Sequence, residues 1–326
     1  MFFVVVWLLK KALPFLLGRK GPGDGGLYSI EEKYGNTKNS HSVACHGGSE
    51  MRYAFFNMTS PYKIPTPTLL YVHENLLPHV RVRFGIDSYE YQLATDFIAH
   101  IAAEKNVRMG TLEEQLGSLY LQFFPPPGPF DVTIGFGRKG TIIAQLLNKR
   151  WGCFPNILRL EITRYEQEDG SHILKSKTDI SIEEQIAKAG KFHSLAIVDD
   201  VLFTGFTAFS ILNLLPRHAC DCISLFFTRG MEVTRKSLEE KGHRAAVGVC
   251  LKGKIETDVS TISSMNLVAK GAIHTPTEGD ISYAQRQEWV EAWFPARTKR
   301  ILALAHAITD LVKSFEPSSE SEETIV

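Results

Sequence analysis

Between residues 131 and 251, short apolar runs rich in β-branched residues alternate with segments of helical period, and this alternation constrains the fold more than any other feature. DVTIGF (131–136), NILRLEI (156–162), SLAIVDD (194–200), DCISLFF (221–227) and HRAAVGVCL (243–251) read as strands. GTIIAQLLNKRWG (140–152), IEEQIAKAG (182–190), TAFSILNLLPRH (207–218, stopped at Pro216) and MEVTRKSLEEKG (231–242) read as helices. Strands joined mostly by helices imply βαβ crossovers, and so a parallel sheet of five strands covered on both faces. Upstream, SYEYQLATDFIAHIAAEK from Ser88 has amphipathic helical spacing. TLEEQLGSLYLQFF (111–124) reads as a second helix, with Thr111 and Glu114 as a capping box, and PPPGP (125–129) stops it.

The flanks read differently. Residues 1–26 are an apolar N-terminal segment followed by a Gly-rich linker (GRKGPGDGG, 18–26). Residues 27–87 carry many aromatics, prolines and polar turns, which suggests irregular structure or short strands. The α/β core then spans 88–251, a C-terminal flanking region with a terminal helix spans 252–315, and an acidic, Ser-rich tail covers 316–326. Trp289 and Trp293, four residues apart, read as a packed helix face.

The apolar stretch MFFVVVWLLKKALPFLL (1–17) is shorter than a spanning helix needs and is interrupted by Lys10, Lys11 and Pro14. Three readings fit it: a membrane-surface or signal-anchor segment, a packing or oligomerisation helix, or a poorly ordered extension. Lys plus Arg (36) equals Asp plus Glu (36), so the chain has no overall charge with which to grip a nucleic acid or an anionic membrane. Five cysteines, sparse and odd in number, suit reduced thiols in the cytoplasm. Membrane association through residues 1–17 is the alternative to that location.

The segment that carries chemistry is SLAIVDDVLFTGFT (194–207). An apolar strand ends in Asp199 and Asp200, and Thr204-Gly205-Phe206-Thr207 then leads into a helix. Ligands of open α/β sheets bind beyond the carboxyl ends of the strands. A helix N-terminus with a glycine and two threonine hydroxyls offers converging donors to a phosphate. Carboxylates beside a phosphate loop make sense when they bind sugar hydroxyls or a hydrated magnesium ion.

This stretch resembles the phosphoribosyl-pyrophosphate (PRPP) binding motif of the type I phosphoribosyltransferases: an apolar strand, two acids, two further residues and a Thr-Gly-x-Thr loop. The resemblance implies a Rossmann-like α/β fold of that kind, extended here by N- and C-terminal flanking segments. It implies that Asp199 and Asp200 face the ribose hydroxyls and Mg2+, and that Phe203, Thr204, Gly205, Phe206 and Thr207 form the 5′-phosphate loop. It also assigns Gly137-Arg138-Lys139-Gly140 to a loop after the first core strand, where Arg138, Lys139 and Gly140 would hold pyrophosphate. The polar stretch RYEQEDGSHILKSK (164–177) falls where the family carries a mobile loop, which could supply Arg164, Lys175 or Lys177 to the pyrophosphate. Phe203 replaces the acid that 6-oxopurine enzymes place against the base, and Phe206 replaces a frequent glycine.

The expected function is therefore transfer of a phosphoribosyl group from PRPP to an acceptor, with release of pyrophosphate. The acceptor expected is a nucleobase, pyrimidine (orotate-like) or adenine-like rather than 6-oxopurine. The alternative is a non-catalytic PRPP or nucleotide sensor on the same fold. Expected partners are PRPP and the small acceptor, with no nucleic acid, and a homodimer by analogy with the family.

Overall fold

The computed structural model describes residues 65–122, 128–168, 171–215, 221–255 and 257–312. The apolar segment 1–17, the linker to residue 26, most of 27–87, Pro216, Cys220 and the tail 316–326 lie outside these residues.

The chain enters through β1 (Leu69–His73), α1 (Leu76–Phe84), α2 (Tyr89–Ala102) and β2 (Val107–Gly110). Ser88 caps α2 by accepting the Tyr91 N–H, which satisfies one of the orphan donors of its first turn. The core follows: α3 (Leu112–Gln122), β3 (Val132–Phe136), α4 (Gly137–Trp151) and β4 (Ile157–Leu160). The Thr111–Glu114 capping box forms as expected, with Glu114 N–H on Thr111 Oγ1 at 3.3 Å and Thr111 N–H on Glu114 Oε2 at 3.0 Å. Next come β5 (Ile162–Glu166), β6 (His172–Ser176), α5 (Ile182–Ala187), β7 (Ser194–Leu202), α6 (Phe206–Leu214), β8 (Cys222–Met231), α7 (Glu232–Glu240) and β9 (Arg244–Leu251). The chain returns through β10 (Val259–Ser263), α8 (Ser264–Val268), β11 (Ile273–Thr275), β12 (Gly279–Ile281), α9 (Gln287–Trp293) and α10 (Thr298–Val312).

The main sheet has five parallel strands in the order β4-β3-β7-β8-β9. That order reverses direction between β3 and β7, which opens a crevice at their carboxyl ends. Side chains of β7 alternate between two cores, as the period of a strand requires. Leu195 and Ile197 join Ile182, Ile186, Phe209, Ile211 and Leu238 on the face covered by α5, α6 and α7. Ala196 and Val198 join Leu116, Leu119, Ile143 and Leu147 on the face covered by α3 and α4. Each fully buried Leu, Ile, Val or Phe contributes about 1.5–3 kcal/mol relative to exposure, so this double burial fixes the register of β7.

A second sheet, β10-β1-β2, is also parallel and joins the two flanks of the chain. The segment from 65 to 87, read from the sequence as irregular or as short strands, supplies β1 and α1. LLYVH is a buried, centrally paired strand; its partner β10 lies nearly 190 residues away and leaves no local signal. The core of this module gathers Leu70, Val72, Phe97, Ile101, Val290, Phe294, Ile301 and Ile308. Trp289 and Trp293 are buried there, ring centroids 5.4 Å apart, and serve packing as their spacing implied.

A third, four-stranded sheet has the order β12-β11-β5-β6. The polar stretch 164–177, placed where the family carries a mobile loop, forms most of an antiparallel hairpin, β5 with β6, and β5 also pairs with β11 through Tyr165 and His274. Ile162 and Leu174 pack into the main core and hold the hairpin down.

Candidate functional site

Two differences from the sequence reading shape the site. First, β7 runs on to Leu202, so Asp199 and Asp200 lie inside the strand and not at its end. The ladder to β8 pairs Asp199 with Phe227 and Val201 with Arg229, extending the sheet past the acids. Second, GRKG is the first turn of α4 and not a loop before it. Gly137 makes the strand-to-helix turn at φ +56°, a left-handed conformation that glycine adopts without strain. A Cβ on Gly140 would stand 2.4 Å from the Val198 carbonyl oxygen, so the absence of a side chain is what lets α4 lie against β7. The α4 N-terminus therefore comes close to the acids, with no acidic residue in its first turn.

Side-chain alternation breaks at the acids: the register to β8 skips Asp200, and Leu202 joins the same core as Leu195 and Ile197. The surroundings of the two acids differ. Asp199 Oδ1 accepts the Asp200 backbone N–H at 2.8 Å. Burial, and then the neighbouring Asp200 charge, push the Asp199 carboxyl well above the usual carboxylate range. Burial also opposes ionisation of Asp200, but the Lys139 and Arg229 charges outweigh it and hold its carboxyl far below that range. Lys139 Nζ lies 3.8 Å and Arg229 Nη2 3.3 Å from Asp200 Oδ2.

Sequence reasoning missed the residues around Asp200. Arg229 is 3% exposed, in a strand buried over most of its length. Its Nη1 donates to the Asp200 carbonyl at 3.4 Å and its Nε to Thr261 Oγ1 on β10 at 3.2 Å. Thr228 Oγ1 lies 2.7 Å from that carbonyl and 2.8 Å from Gln115 Oε1, with one proton to donate to either. Gln115 continues to His73 Nδ1 at 2.9 Å. Burial, and then the Arg229 charge, hold the His73 imidazole down at about 3, so it is neutral at pH 7. A lone arginine in the run CISLFFTRGM was the one available signal, since a buried cation needs a partner.

The turn after β7 is set by Gly205, at φ +81°, where a Cβ would meet the Phe209 ring and the Thr234 methyl at 2.7 Å. Thr204 Oγ1 accepts the Phe206 N–H at a long 3.4 Å. Thr204 is exposed, and Phe206 and Thr207 open α6 half-buried. Phe203 turns the other way. Its side chain packs beside the cluster of Tyr71, Met231, Leu251 and Val259, and its carbonyl accepts from Thr234 Oγ1. Arg138 is partly buried at the α4 N-terminus, where Arg159 adds positive charge; burial, and then that charge, lower its pKa.

Magnesium keeps several waters and takes one or two carboxylates plus substrate phosphates. Asp199 and Asp200 are side chains of that chemical type, with Asp200 already paired to Lys139 and Arg229. Among the described residues no three acidic, histidine or cysteine side chains gather into a protein cage.

No protein-family model matches the sequence, and no curated protein matches it. Solved structures similar to the chain include a hypothetical protein from Neisseria gonorrhoeae with bound ppGpp (13% identical, TM-score 0.32, covering 46% of this chain and 82% of that one). Another is a purine phosphoribosyltransferase from Pyrococcus horikoshii (14%, TM-score 0.26, covering 59% and 92%). A third is an adenine phosphoribosyltransferase from Thermoanaerobacter pseudethanolicus (19%, TM-score 0.27, covering 42% and 77%). Phosphoribosyltransferases recur among these structures. At such identities and TM-scores the chain's own geometry has to carry its chemistry.

Proposed function

We propose that the protein binds PRPP and transfers its phosphoribosyl group to an acceptor nitrogen, releasing pyrophosphate. The observation that carries this is the acid pair Asp199-Asp200 with the α4 N-terminus beside it, Lys139 Nζ 3.8 Å from Asp200, and with Gly205 opening α6 just past the end of the same strand. Two anion-binding ends around a carboxylate pair match a ligand with a phosphate at one end, a diphosphate at the other and a polyol between.

In this reading Thr204, Thr207 and the N–H groups of Phe203, Gly205, Phe206 and Thr207 hold the 5′-phosphate. Arg138, Lys139 and the N–H of Gly140 hold the diphosphate. Asp199 accepts from the sugar hydroxyls, and the carboxylate pair supplies negative charge near C1 as the C1–O bond breaks. Pyrophosphate leaves with the bonding electrons, the acceptor nitrogen donates its lone pair to C1, and its proton passes to solvent. Mg2+, bound through the diphosphate and the carboxylate pair, would neutralise charge on the leaving group. The acceptor we infer is an orotate-like or adenine-like base, because the apolar Phe203 side chain turns inward and offers no carboxylate to a 6-oxopurine. The partners are then PRPP and this base. No helix among the described residues is long and apolar enough to cross a membrane.

A second reading, a PRPP or nucleotide sensor, is favoured by one feature: Asp200 is already ion-paired with Arg229 and Lys139, so less negative charge is left for the sugar cation. Calorimetry of PRPP with magnesium, on wild type and Asp199→Asn/Asp200→Asn, tests the site. Binding by wild type and its loss in the folded double variant support it. No binding by folded wild type overturns both readings. Release of labelled pyrophosphate with a panel of bases separates transferase from sensor.

A further inference from the structure

Arg229 lies at the point where three strands of the main sheet continue past the acid pair. Beyond it, Met231 and Leu251 meet Tyr71 and Val259 of the second sheet. A guanidinium buried to 3% exposure is costly unless paired, and the pairing here is directed at Asp200. Arg229 contacts the Asp200 carboxylate at 3.3 Å and its carbonyl at 3.4 Å, and reaches Thr261 on β10 at 3.2 Å. Thr228 Oγ1 lies 2.7 Å from the same carbonyl and shares its one proton between it and Gln115 Oε1. Asp200 is thus fixed by its main chain and its side chain together. Among the described residues no arginine hydrogen-bonds Asp199, whose Oδ1 accepts the Asp200 backbone N–H at 2.8 Å.

We propose that Arg229 is a positioning residue that makes the acid pair unequal: it binds Asp200 into a strut reaching β10, and Asp199 becomes the acid that meets the ligand. The ligand half of this inference rests on the PRPP reading; the strut rests on geometry alone. A site built this way reads one sugar hydroxyl through the Asp199 carboxyl, not two through the pair. It also makes placement of the β10-β1-β2 sheet depend on the strand that carries the acids.

The test compares Asp199→Asn, Asp200→Asn, Arg229→Gln and Asp200→Asn/Arg229→Gln, by calorimetric binding of PRPP with magnesium and by Tm. Asp199→Asn is expected to lose at least about tenfold more affinity than the double variant, the size of one charge-assisted hydrogen bond. Asp200→Asn and Arg229→Gln should each lower Tm, and the double variant should recover part of that loss because neither charge is left unpaired. A double variant that loses as much affinity as Asp199→Asn overturns the inequality. Additive losses of Tm overturn the strut. A folded wild type that binds no PRPP overturns the PRPP reading and the ligand half with it, and the Tm cycle then decides the strut by itself.

Discussion

His73 and His172 are both held well below an ordinary histidine, at about 3 and about 4, by burial first and then by nearby arginines. In the unfolded chain each takes a proton near pH 6.5, while in the folded chain each stays neutral to much lower pH. The unfolded state therefore binds more protons across that window, and stability falls as pH drops from about 6.5 toward 4, by about 1.4 kcal/mol per pH unit for each histidine. Denaturant titrations at pH 7 and pH 5 should show this loss. His73→Gln should shrink it, and an unchanged difference would show that His73 is not neutral in the fold. At this scale the sequence revealed the acids and the glycine turn, because they are contiguous and their chemistry is local. It did not reveal His73, Gln115 or Thr261, which reach the acid pair from β1, α3 and β10 through pairings between distant segments. Arg229 was visible as an oddity, but its partner was not.

The α4 N-terminus shows how an element depends on a single missing atom. Ala at Gly140 would place a Cβ 2.4 Å from the Val198 carbonyl, against backbone that cannot rotate away. Gly140→Ala is expected to push α4 from β7 at a cost of about 1–3 kcal/mol. If the proposed diphosphate site is right, PRPP affinity should fall with it. Chemical denaturation and calorimetry would show both, and an unaltered stability would mean the helix shifts freely. The strands and helices of the core were legible because their periods differ, 2 against 3.6, and their breaks carry Gly or Pro. Their ends were less so. β7 continues through Asp199 and Asp200 to Leu202 because β8 supplies ladder partners beyond the acids, and the helix after β3 starts at Gly137 because GRKG can turn within it. The hairpin of β5 and β6 was missed for a similar reason, since its polar residues describe its exposed side while Ile162 and Leu174 hold the other.

For the whole molecule the main sheet could be read from its alternation, whereas the second module could not, since it is assembled from both flanks. Helix α10 packs on α2, with Arg300 paired to Asp96 at 2.6 Å and Ile301, Leu304 and Ile308 in the shared core. Ile301 is fully buried, so Ile301→Ala should cost about 2–5 kcal/mol. Hydrogen exchange should show protection lost in β1 and α2 as well as in α10; loss confined to α10 would mean the flanks fold apart. In the second sheet β1 is central, with β2 on one side and β10, contributed by the far end of the chain, on the other. In evolutionary terms these two flanks form one heritable unit: a descendant that lost the C-terminal flank alone would leave β1 with one bare edge, and one that lost the N-terminal flank alone would leave β10 with no sheet at all.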